Sequence, residues 1–196
     1  MSKELSAQLT ATDSIAAAPA WASTTGIVLA ASGLVAVCAH IAIPLFFTPV
    51  PLSMAPFAVL LLGLLLRPRM ASAALGAYLI EGAAGLPVFA PGALTGMAHL
   101  LGPTGGYLIA YPAAAALISY LWRRSGGSFT AALGSAAAGN LAILLCGALW
   151  FAALTHGSAQ AVLSLAVVPF LAGDGLKIAA AAGLAIGYQR LRRFSR

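Results

Sequence analysis

Three ionisable side chains, Glu81, Asp174 and Lys177, sit inside otherwise apolar stretches of this 196-residue chain. Charge at such depth is costly, so a residue of this kind is by default a candidate for function. Asp174 and Lys177 are three apart, and a helix presents both on one face. Together they offer an acceptor carboxylate and a donor ammonium. Gly173 and Gly175 flank the aspartate and Pro169 precedes it by about one turn, which favours a helix that is kinked or open to a ligand. A purely structural ion pair is the competing reading. Apolar replacement of such a pair is often neutral or stabilising, so packing alone gives little reason to keep it. Glu81, four residues before Gly85, either reaches the mouth of a pocket or lies at an interface, and the interface is preferred.

Other candidate chemistry is sparse. The segment Leu86–Thr104 has no charge and is punctuated by Pro87, Pro91, Gly92, Gly96, Gly102 and Pro103. Long connections of this sort are usually functional, as lids, or disordered, and its apolar residues favour a loop packed over the protein. Thr104, Gly105 and Gly106 then open a helix whose first N–H groups can meet an anion or a carbonyl. His40, His99 and His156 are scattered without ligand spacing, so no metal is expected. No Ser-His or Cys-His arrangement is readable, and no Walker phosphate loop is present, so the chain does not use ATP by itself. Cys38 and Cys146 lie in apolar runs and are expected to pack rather than to pair.

The elements that must position these residues follow from composition. The chain is 61% hydrophobic and 7% charged, against about 25% charged in soluble domains. Its apolar residues form long runs, which in lipid must be helical so that each backbone group is bonded within its own segment. Pro/Gly clusters and charges delimit six spans: Gly26–Ile43, Leu52–Leu66, Met70–Gly85, Gly105–Trp122, Phe129–Ala153 and Ala161–Tyr188. The expected organisation is a cytoplasmic tail over 1–25, a six-helix domain over 26–189 and a basic tail over 190–196. Residues 15–23 are too Ala-rich, and interrupted by Pro19, to read as a secretory signal.

Nine of the ten cations, Lys3, Arg67, Arg69, Arg123, Arg124, Arg190, Arg192, Arg193 and Arg196, fall in the tails and in two of the five connections. The other three connections have no Lys or Arg. With six spans every basic segment lies on one side, so an all-α multi-pass protein of the bacterial cytoplasmic membrane is expected, with both ends inside. The net charge of +6 therefore reads as attraction to anionic lipid, not to nucleic acid. Small residues recur every four positions at Gly134, Ala138 and Ala142, and again at Ala179, Gly183 and Gly187, which suggests packing within the bundle. A similar row in the first span, Ser32 and Ala36, suits either the bundle or docking of another membrane subunit.

Four blocks, TPVP at Thr48–Pro51, GLPVFA at Gly85–Ala90, GPTGGY at Gly102–Tyr107 and GDGLK at Gly173–Lys177, give the stretch from Thr48 to Gly187 a specific character. In order and spacing they resemble the BioY family, the biotin-specific S components of energy-coupling factor (ECF) transporters. The resemblance implies six helices, biotin held near the outer face under the outer loops, and work with a membrane T component and two cytosolic ATPases. It implies that Asp174 and Lys177 contact the ureido ring, whose N–H groups suit a carboxylate and whose carbonyl suits an ammonium. It adds Thr104, Gly105, Gly106, Tyr107 and Phe89 to the substrate site, with no cofactor and no catalysis. Two departures stand out: Leu52-Ser53-Met54-Ala55 replaces the usual Thr and Gln, and PGALTGMAHLL is poorer in glycine than usual. Other readings are an S component for another vitamin, a membrane enzyme using Asp174, and a structural partner protein that binds no small molecule.

Overall fold

In the computed structural model of the chain, residues 20–92 and 94–194 are described. The tail expected over 1–25 lies outside them as far as residue 19, as do the last two residues of the basic C-terminal segment. The described residues form eight helices: α1 Ala20–His40, α2 Ala55–Leu65, α3 Pro68–Ala83, α4 Gly96–Leu101, α5 Gly105–Arg124, α6 Phe129–Thr155, α7 Ala159–Ala166 and α8 Val168–Phe194. A two-residue antiparallel ribbon joins β1 (Ala42–Ile43) to β2 (Leu52–Ser53).

Two helical stretches, Phe129–Thr155 and Val168–Arg192, are long and apolar enough to cross a membrane by themselves. The element expected over Leu52–Leu66 is shorter, because Leu52 and Ser53 pair with β1 and the helix starts at Ala55 with Pro56 in its first turn. A proline there costs nothing, since the first-turn N–H groups have no helical partner. α2 is apolar on almost every side, and it is surrounded: Ala58, Val59 and Leu60 are fully buried, and α1, α3, α5, α6 and α8 all pack on it. Such a helix belongs in the core.

The element expected over Ala161–Tyr188 is two helices, broken at Val167. Pro169 has no N–H to give the carbonyl of Leu165 four residues back, and the Phe170 N–H turns to Val167 instead. Both freed carbonyls find side chains. Thr48 Oγ donates to Leu165 O at 2.8 Å, and the Tyr107 hydroxyl donates to Ala166 O. The TPVP and GPTGGY blocks thus clamp the break from which α8 runs toward Asp174.

The rows of small residues expected to pack turn inward only in part, with Ala138, Ala142 and Gly187 half-buried. Gly134, Ala179 and Gly183 are exposed; the buried faces are Ala132, Ala136, Gly139 and Ile143 on α6, and Ala181, Ala182 and Ala185 on α8. Both helices carry small residues in several registers, so spacing alone could not select one. Cys38 is buried as expected, whereas Cys146 lies on the outside of α6.

Candidate functional site

The long connection after α3 folds back over the bundle. Gly85 turns it with φ of 93°, a conformation that favours glycine. Phe89 then drops inward, edge-on to Tyr78 and tilted against His99, over Gly82, where a Cβ would stand 2.0 Å from its ring. Trp150 of α6 donates Nε1–H to Gly102 O at 2.9 Å and pins the far end. Beneath this cover lies a cavity whose empty space, open mouth and solvent included, is about 620 Å³. α3, α5, α6 and α8 and the 50–56 segment line it.

At its polar end Asp174 and Lys177 face each other across one helical turn, Nζ to Oδ1 at 3.1 Å, both nearly inaccessible to solvent. The other carboxylate oxygen accepts a hydrogen bond from Asn140 Nδ2 on α6 at 3.0 Å. The carboxylate is therefore held from two helices, and the ammonium is fixed by it. Tyr78, Tyr107 and Tyr111 wall the space, with Ile143, Leu144 and Phe170 as its apolar side. The Tyr78 hydroxyl is buried with no hydrogen-bond partner, the kind of group that calls for an explanation in a folded protein.

Of the residues singled out from sequence, Asp174, Lys177, Thr104 and Tyr107 line this cavity. Tyr107 does so with its ring, since its hydroxyl is committed to Ala166. Gly105, Gly106 and Phe89 do not line it. A Cβ on Gly105 would stand 1.8 Å from Leu100 O, and one on Gly106 2.2 Å from Trp150 Cβ. These two positions let α5 approach α4 and α6, and Phe89 supports the cover from behind.

The row proposed for docking also moves. Ser32 is fully buried and donates to Glu81 Oε2 at 2.5 Å, while Ala36 is half-buried against the core. Ser32 thus faces the bundle and Ala36 lies at its edge. Glu81 is half-buried and tied to α1, neither at the cavity mouth nor free at an interface. Asn140 was missed. It is the sole asparagine of the chain and lies mid-way along an apolar helix, so counting amides along with charges would have found it.

The family model of BioY matches residues 9–194. The chain belongs to the BioY family. Among curated BioY proteins, it is 41% identical over 133 residues to the probable biotin transporter BioY of Pyrococcus horikoshii, covering 68% of this chain and 76% of that one. It is 35% identical over 160 residues to the biotin transporter BioY of Thermotoga maritima, covering 82% and 92%. Its fold matches a crystal structure of the S-component for biotin from an ECF-type ABC transporter with a TM-score of 0.77. That match is 25% identical and covers 88% of this chain and 92% of the other.

Proposed function

We propose that this BioY chain is the biotin-capturing subunit of an uptake transporter in the cytoplasmic membrane, and not an enzyme. The observation that carries the reading is the buried Asp174–Lys177 pair, braced by Asn140 at the polar end of the cavity. A ureido group needs an acceptor for its N–H groups and a donor for its oxygen, side by side, and this pair supplies both. The tyrosines and Phe170 suit the apolar ring and chain of the vitamin.

The same reading has the chain cross the membrane six times, with α1, α2, α3, α5, α6 and α8 as spans and both ends inside. α2 rises only about 16 Å, short of the roughly 30 Å hydrocarbon layer. Its burial by protein on all sides removes the need to satisfy lipid at its ends. Arg123 and Arg192 line one cleft, at the end opposite the cover formed by residues 44–51 and 91–104, in keeping with an inner and an outer face. A T component and two ATPases would supply the free energy for accumulation. The test is titration of the purified chain with labelled biotin, with riboflavin and thiamine as controls. Saturable binding of biotin alone supports the reading; equal binding of a control, or none of biotin, refutes it.

A further inference from the structure

Cations are scarce where the ligand's side-chain carboxylate would lie. Among the described residues lining the cavity and its mouth, Lys177 is the single Lys or Arg, and Asp174 neutralises it at 3.1 Å. A carboxylate brought to that pair would meet the aspartate as well as the ammonium, so the acidic tail belongs at the other end. Pro51, His99 and Thr104 line both the cavity and a neighbouring solvent-open space between the 44–51 and 91–104 segments, which we take as its mouth.

That mouth is poor in side-chain donors. Five of its lining residues, Pro44, Pro49, Pro51, Pro91 and Pro103, have no N–H to give. Thr48 has spent its proton on Leu165 O and accepts from the Val50 N–H. His99 Nδ1 lies 3.0 Å from Leu94 O, which can only accept, so Nδ1 carries the proton. That proton is spent on Leu94 O, so Nδ1 offers nothing to a carboxylate. Of the mouth's side chains the Thr104 hydroxyl remains as a neutral donor, and one hydroxyl replaces little of the hydration of an ion.

Resting on the biotin reading above, we infer that the protein does not read the carboxylate. It takes biotinyl esters and amides, joined through the side-chain carboxyl, as well as the free vitamin. The neutral mouth leaves that group in water and has room for what is attached to it.

The test is competition for the full-length protein in nanodiscs by biotin, biotin methyl ester and ε-N-biotinyl-lysine. Affinities within about tenfold of one another are expected. A carboxylate held by a charge-assisted hydrogen bond would show itself as a loss of roughly tenfold to a hundredfold or more on esterification. A loss beyond about tenfold for either conjugate, with free biotin still bound, overturns the inference. Failure to bind free biotin at all instead overturns the functional reading on which it rests.

Discussion

Replacing Lys177 by Met separates the structural from the binding role of the buried pair. Its side chain and that of Asp174 are only 7% and 6% exposed. Without the ammonium, the carboxylate keeps one hydrogen bond, from Asn140 at 3.0 Å. Removing one partner of a buried pair typically costs about 3–5 kcal/mol, whereas replacing both with neutral groups of similar volume is often harmless. Lys177→Met should therefore melt well below the parent, and Asp174→Asn/Lys177→Met should recover most of the loss. Biotin affinity should follow a different order. Each lost charged hydrogen bond costs about 1.5–3 kcal/mol, so Lys177→Met should bind roughly tenfold to a hundredfold more weakly and the double variant more weakly still. Thermal unfolding followed by tryptophan fluorescence, with calorimetric titration of the same preparations, reads both properties. A double variant with parental affinity would refute the binding role. A Lys177→Met variant as stable as the parent would refute the dry, paired geometry.

Asn140→Ala should lower biotin affinity by about tenfold, since a hydrogen bond to a charged group is worth about 1.5–3 kcal/mol; titration checks this, and unchanged affinity would make the asparagine a spectator. Gly106→Val should destabilise by at least about 1–3 kcal/mol, because the first added carbon already meets Trp150 Cβ at 2.2 Å and Cys146 O at 2.7 Å; a parental melting temperature would contradict the contact. A reporter fused after Arg196 should read as cytoplasmic and a tag near Pro91 as external; an external C-terminus would sink the six-span arrangement.

The buried pair was legible because charge within apolar sequence is rare and costly, and because a spacing of three fixes a shared helical face. The packing faces were not. α6 and α8 offer small residues in several registers, and only the neighbours decide which row turns inward. The cover was legible as a packed loop, but the inward turn of Phe89 and the short helix α4 depend on contacts with Tyr78, His99 and Gly82. Pro169 pointed to a kink, and the structure shows a full break. Its position depends on Thr48 and Tyr107, which lie more than fifty residues away in sequence and supply the missing hydrogen bonds. Ser32 stayed open between two readings because a hydroxyl among small residues looks the same whether it meets a partner subunit or a half-buried glutamate.

A structure determined with biotin bound would test the central assignment most directly. The expected result places the ureido ring in the cavity beneath Phe89, an N–H on the Asp174 carboxylate and the oxygen on Lys177 Nζ, with the carboxylate directed toward Pro51 and Thr104. Biotin seated elsewhere, for example in the cleft lined by Arg123 and Arg192, with the Asp174–Lys177 pair undisturbed, would contradict it.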